Sequence, residues 1–158
     1  MKGSSKVITL LNQALHEELV SISQYFLHAE MCENWHYHKL AGYIKKQSID
    51  EMKHAEALIE RLLFLEGTPG MSDPLQLSVG QNVKGQLASD LKLEISAVAM
   101  YNRASQVARD EGDNTSRELF DRLLKDEEAH VDWLEAQMHQ IEELGYERYL
   151  SQQIRDEK

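Results

Sequence analysis

Apolar residues recur along this chain with a helical period, and the places where a charged residue breaks the period are as informative as the period itself. From about Ser5 to Cys32, Val7, Leu11, Ala14, Ile22 and Tyr25 share one stripe, with Glu18 standing among them. A second helix is expected from about Trp35 to Glu66, capped by Asn34 and stopped at Gly67. Its stripe is Tyr37, Ile44, Ala55, Leu58, Leu62 and Leu65, and Glu51 falls within it. A third covers about Val83 to Glu111, with Leu87, Leu91, Glu94, Val98 and Tyr101 in line. After the turn at Gly112-Asp113-Asn114, Thr115-Ser116-Arg117-Glu118 fits a capping box for a fourth helix through Phe120, Leu123, Glu127, His130, Leu134 and Ile141. Gly145 ends it, Tyr146 to Ile154 can form a short extra helix, and Arg155 to Lys158 should fray.

Residues 67 to 82 are the one long irregular stretch, holding both prolines and Gly67, Gly70 and Gly80. At ~3.3 Å per residue such a segment spans ~50 Å, while a helix of about 30 residues is ~45 Å long. The linker can therefore run the whole length of a bundle, so that helices two and three point the same way. That is the ferritin-like connection. The expected fold is all-α: a ferritin-like four-helix bundle with a long crossover between helices 2 and 3 and a short C-terminal fifth helix, in a single domain over residues 1–158.

Composition narrows the picture without redirecting it. An apolar share of 42% with 7% aromatic and only two prolines suits helices better than sheet. Lys and Arg number 17 against 27 Asp and Glu, and a net charge of −10 repels nucleic acid and anionic membranes while attracting cations. The single Cys32 excludes an internal disulfide and any CxxC centre. No charged-then-apolar leader and no run near the ~18 residues of a membrane span is present, so the expected setting is cytoplasmic.

The interruptions of the stripes are related to one another. A shift of 76 positions carries Glu18, Glu51 and His54 onto Glu94, Glu127 and His130, and Tyr25 onto Tyr101. Within each half, Glu and His stand three apart, on one face of one helix. The midpoint of 18 and 51 falls beside Asn34, and that of 94 and 127 near Gly112, so the carboxylates of each hairpin stand level. Four buried carboxylates without compensation would cost several kcal/mol each. Two divalent cations cancel them, and each can take one imidazole. Oxygen-rich donors with one His per metal suit iron or manganese rather than structural zinc. The plainer alternative, inward polar residues paired with Lys or Arg, lacks a cation at a matching inward position in both halves.

Tyr25 and Tyr101 lie two turns beyond a Glu on the same face, as core tyrosines whose hydroxyls bond site carboxylates; a redox role for Tyr25 is the alternative. Trp133 is assigned to packing, and Cys32, His16, His28, His36, His38 and His139 to no chemistry. A further feature lies outside the metal-facing stripe: Leu15, Leu19, Ile22 and Phe26 flank Glu18, and Met52, Ile59 and Ile49 flank Glu51, at ~100° per residue. Two neighbouring helices with an apolar flank mark an interface, and a two-fold dimer through it brings Met52 close to its symmetry mate.

With Ser48-Ile49-Asp50-Glu51-Met52-Lys53-His54-Ala55 in view, the chain resembles the bacterioferritin family from end to end. The resemblance implies that Glu18, Glu51, His54, Glu94, Glu127 and His130 are the ligands and catalytic residues of a di-iron ferroxidase centre, two iron ions per subunit, with Glu51 and Glu127 bridging. It implies that Met52 from two subunits binds a b-type haem, with Leu19, Ile22, Ser23, Phe26, Ile49 and Lys53 lining the pocket. It also implies a homo-oligomeric shell of twenty-four subunits that oxidises Fe²⁺ with O₂ or H₂O₂ and stores the ferric mineral. Haem then assists iron release, with a ferredoxin-like protein as candidate reductant. One departure is evident. Where some members carry a His for an inner-surface iron site, this chain has Lys46, although Asp50 remains, so that accessory site is not expected. The competing readings are a non-storage di-metal enzyme and a helical interaction module. The first lacks a substrate-binding insertion and gives Met52 no role, and the second leaves the repeated carboxylates unexplained.

Overall fold

The computed structural model of the chain describes residues 1–155, and the expected fraying of Asp156 to Lys158 lies outside them. Five helices follow in order: α1 (Ser5–Asn34), α2 (His38–Phe64), α3 (Val83–Asp110), α4 (Asn114–Leu144) and α5 (Tyr146–Ser151). α1 pairs with α2 and α3 with α4, and α1 packs across onto α3. No described helix is long and apolar enough to cross a membrane.

The helix ends differ from the sequence expectation in an instructive way. Asn34 does not cap α2; it is the last residue of α1, and α2 starts after Tyr37 with no side-chain cap. The chain turns instead through His36 in the left-handed region, at φ 64°, with His36 N donating to Glu33 O at 3.0 Å and Tyr37 N to Cys32 O at 3.0 Å. This is the Schellman closure, which satisfies carbonyls orphaned by the helix end. The same pair of bonds closes α2 around Glu66 (φ 62°) and α3 around Gly112 (φ 72°). Gly67, expected as the stop, stands one residue beyond the left-handed position. The Thr115 capping box does not form either. Asp113 caps α4, accepting from Ser116 N at 3.0 Å and Ser116 Oγ at 2.6 Å. Arg61 Nη2 donates to the same carboxylate at 2.8 Å, which ties the start of α4 to α2.

The linker from Leu65 to Asn82 runs back along α1. Asn12 bonds it at Thr68 O (3.1 Å) and Gly70 N (2.7 Å), Gln24 at Ser78 N (2.9 Å) and His28 at Gly80 N (3.1 Å). From Asn12 to His28 is ~24 Å of helix at ~1.5 Å per residue. α3 therefore begins at the end where α2 began, and the two run parallel, as the linker length requires. The upper attachment is a buried polar cluster. Because Gly80 N donates to His28 Nε2, His28 carries its proton on Nδ1 and donates it to Asp90 Oδ1 at 2.9 Å; Gln24 Nε2 donates to the same oxygen at 2.9 Å. His28 is thus a satisfied buried histidine.

The core is in two parts. One cluster joins Val7, Leu11, Leu15, Leu58, Leu62, Met100, Tyr101, Phe120 and Leu123. The other joins Tyr25, Cys32, Leu40, Ile44, Leu87, Leu134, Ile141 and Tyr149. Leu15 belongs inside the first, fully buried, and not on the apolar flank where the sequence reading put it. Between the two clusters lies a layer of buried charge.

Candidate metal centre

Because the metal-facing stripes are level, the six expected residues meet in that layer. Glu18, Glu51, Glu94, Glu127 and His54 are buried, and the His130 side chain is nearly so. They form two overlapping groups, Glu18–Glu51–His54–Glu127 and Glu51–Glu94–Glu127–His130, and in each the offered atoms lie within 4.8 Å of one another. Glu51 and Glu127 belong to both groups. Glu18 and His54 belong to one alone, Glu94 and His130 to the other.

Distances within the layer describe donors mostly aimed at a shared space, with one direct hydrogen bond between His54 Nδ1 and Glu127 Oε1. His54 Nδ1 is 3.2 Å from Glu127 Oε1 and 3.5 Å from both Glu18 Oε1 and Glu51 Oε2. His130 Nδ1 is 2.9 Å from Glu51 Oε1, 3.3 Å from Glu127 Oε2 and 3.5 Å from Glu94 Oε1. The shortest of these is an ion-pair distance without hydrogen-bond alignment: His130 Nδ1 and Glu51 Oε1 are both left unbonded, as are Glu18 Oε2, Glu94 Oε2 and Glu127 Oε2. Native proteins leave few buried polar atoms unsatisfied, and each orphan costs about 1–3 kcal/mol. Five in one layer, all of them oxygen or imidazole nitrogen, fit a pair of divalent cations.

The metal-free charges follow from the same geometry. Burial, with the charges of Glu51 and Glu127, pushes Glu18 well above the ordinary carboxylate range; burial, with Glu127, does the same to Glu94. Burial opposes the charge of Glu127 too, but the adjoining Glu94, His130 and His54 side chains outweigh it and hold that group well below the range. Burial likewise favours neutral imidazoles, yet the carboxylates close around His54 and His130 overcome it and raise both far above the ordinary histidine value. Without metal, protons occupy the place of cations.

The tyrosines enter from opposite sides. Tyr101, packed in the first core cluster, donates its hydroxyl to Glu18 Oε1 at 2.5 Å, and Tyr25, packed in the second, donates to Glu94 Oε1. This is the bonding their spacing implied, and it fixes the rotamers of one carboxylate in each group. Trp133 stacks on Tyr43 with ring centroids 4.0 Å apart, a packing role as expected. Sequence reasoning missed a contact at the edge of the layer: His54 Nε2 lies 3.0 Å from Asp126 Oδ2. Its signal was present, since Asp126 opens the second copy of the repeated motif. Met52 is not in the layer. Its neighbour Glu51 turns inward, and Met52 stands 48% exposed on the outer face of α2, one turn from Ile49, which is 44% exposed.

Comparison with known proteins agrees with this architecture. Residues 8–144 match the ferritin family, described as a ferritin-like domain. The bacterioferritin of Brucella melitensis is 45% identical over 149 residues, covering 94% of this chain and 92% of that one. That of Streptomyces coelicolor is 42% identical, with 96% and 90% covered, and that of Mycolicibacterium paratuberculosis 39%, with 96% of each. The chain belongs to the bacterioferritin family. For a bacterioferritin, a layer of four carboxylates and two histidines splitting the core is no packing defect. The bundle tolerates it because two complete apolar clusters hold the helices on either side.

Proposed function

We propose that this protein stores iron, oxidising Fe²⁺ at the centre between its helices and holding the ferric product inside a hollow shell assembled from copies of the chain, each contributing one ferritin-like di-iron domain in the cytoplasm. The convergence of six donor residues at one level of the bundle, five of them with an unbonded atom, carries the reading. Fe²⁺ is the substrate. Glu51 and Glu127 bridge two ions, Glu18 and His54 complete one position, and Glu94 and His130 complete the other. Four carboxylates balance two dications where isolated charge would cost several kcal/mol. As the ions enter, protons leave His54, His130, Glu18 and Glu94, since an imidazolium has no free lone pair and a neutral carboxyl is a far weaker ligand than a carboxylate. Each ion gives up one electron. The pair reduces H₂O₂ with two protons to two waters, or O₂ with two protons to H₂O₂, and no one-electron oxygen radical is released.

Met52 suits a different task. A soft thioether on an exposed apolar face, one turn from Ile49, would suit a haem if two such faces met across a two-fold axis. Met52 from two chains would hold a b-type haem there, and such a group would supply one-electron chemistry for reductive iron release from an external donor such as a ferredoxin-like protein. Exposed Leu27, Leu63 and Phe64 extend the apolar surface of α1 and α2 that contacts between chains would cover.

Aerobic loading with excess Fe²⁺, followed by size exclusion with iron and haem absorbance read together, tests the proposal. Storage predicts iron far above two per chain on a shell-sized particle. Iron that stops near two per chain on a small oligomer overturns storage and leaves a di-metal enzyme. Glu94→Ala or His130→Ala should reduce Fe²⁺ oxidation to the rate in buffer with helix content unchanged; unaltered oxidation would refute the centre. Met52→Leu should remove the haem band and leave Fe²⁺ oxidation intact.

A further inference from the structure

We propose that Asp126 is a positioning residue: its carboxylate fixes the His54 ring with Nδ1 toward the centre and makes the His54 metal position stronger than the His130 position. The inference rests on the metal-centre reading above. One edge of the His54 ring meets Asp126 Oδ2 at 3.0 Å through Nε2, while the other edge faces Glu127, Glu18 and Glu51 through Nδ1. A cation takes the lone pair of a neutral ring nitrogen, so a ligating His54 must carry its remaining proton on Nε2. An acceptor placed there selects that tautomer, holds the ring plane and increases the basicity of Nδ1.

The internal repeat shows that this support is one-sided. The 76-residue shift carries Asp50 onto Asp126 and His54 onto His130, so a faithful two-fold would set Asp50 against the outer edge of His130. Among the described residues no hydrogen bond or ion pair joins Asp50 to His130. Asp50 Oδ1 lies instead 3.7 Å from Lys53 Nζ. Within the motif the repeat fails at Met52, whose counterpart is Glu128, and at Lys53, whose counterpart is Ala129. One turn along α2, the Lys53 ammonium keeps the Asp50 carboxylate on its own helix. The methyl of Ala129 exerts no such pull, and Asp126 reaches across from α4 to α2. Both carboxylates line the same cavity of about 440 Å³ beside the centre, together with Lys53, His54, Ala129 and His130. They sit in similar surroundings, but only Asp126 holds a ring.

Co²⁺ reads the two positions without turnover, through its visible absorbance in an anaerobic titration of the assembled, iron-stripped protein. Wild type should bind two Co²⁺ per chain in two resolved steps, the tighter at the His54 position. Asp126→Ala should weaken the tighter step about 10–100-fold, the range for loss of a partner behind a ligating His, so that the two steps merge or exchange order. Asp126→Asn, which retains an oxygen acceptor, should recover part of the loss. Asp50→Ala removes an equal charge from the same cavity and should leave the two steps apart. Asp126 is half-exposed and its removal opens no core cavity, so thermal stability of the metal-free protein should not move. Unchanged binding in Asp126→Ala, or the same loss in Asp50→Ala, would overturn the positioning role while the centre stands. A wild type that takes up no Co²⁺ would overturn the centre itself.

Discussion

Asp113 illustrates how one side chain can serve two elements. It caps α4 through Ser116 and accepts from Arg61 of α2, so its loss removes a cap and an inter-helix tie together. Asp113→Ala should cost about 1–2 kcal/mol, near the upper range for caps, read as a shift in the denaturation midpoint. Burial opposes ionisation of Asp113, but bonds from the Ser116 hydroxyl and amide and from Arg61 prevail and lower its pKa below 3.8. The sign follows from linkage: a carboxyl held lower when folded contributes stability that is complete above the unfolded value and is lost as pH falls through the folded one. The difference between wild type and Asp113→Ala should therefore be full at neutral pH and shrink below about pH 4. The cap was illegible from sequence for a simple reason. Asp113, Thr115 and Ser116 are all competent caps, and the choice is made by Arg61, which is distant in the chain.

Among the elements, the crossover depends most on fine geometry. Gly80 passes so close to the start of α3 that an added Cβ would fall 2.1 Å from Gln86 N and 2.5 Å from Gln86 Cα. Those are backbone atoms of a helix and cannot yield. Gly80→Ala should displace the crossover from His28 and leave the His28–Asp90 pair without its Gly80 partner. Limited proteolysis should then cut within residues 68–80 faster than in wild type, while helix content changes little. An unaltered cleavage rate would show that the crossover is held by Asn12 and Gln24 alone. The helices themselves were readable because each carries a long apolar stripe, and the crossover's direction was readable from its length. The turns were not. A left-handed His36 or Glu66 has no local sequence mark comparable to glycine, and their positive φ is imposed by helices already packed on both sides.

For the whole molecule, the central layer links stability, metal and pH. In the metal-free centre the surroundings favour protonation of His54 and His130, and burial favours protonation of Glu18 and Glu94 beside them. Divalent metal must displace those protons, so anaerobic loading should acidify an unbuffered solution, and apparent affinity should fall steeply as pH is lowered. Because metal binds the folded state, loading should also raise the thermal midpoint. At a free concentration a hundredfold above the dissociation constant, each ion adds about 2.7 kcal/mol. Loading that releases no protons would contradict the charge distribution described for the layer.

The sequence by itself determined the helices, their pairing, the parallel course of α2 and α3 and the six residues that meet. Helical periodicity and a constant shift of 76 fix which side chains share a face and at what height, and these are local properties of the chain. Only the tertiary structure decided how the two halves differ. The repeat is nearly two-fold, but which Asp holds a histidine, which Asp caps α4 and whether Leu15 faces core or surface depend on distances across helices. Those distances are set by packing among residues far apart in sequence.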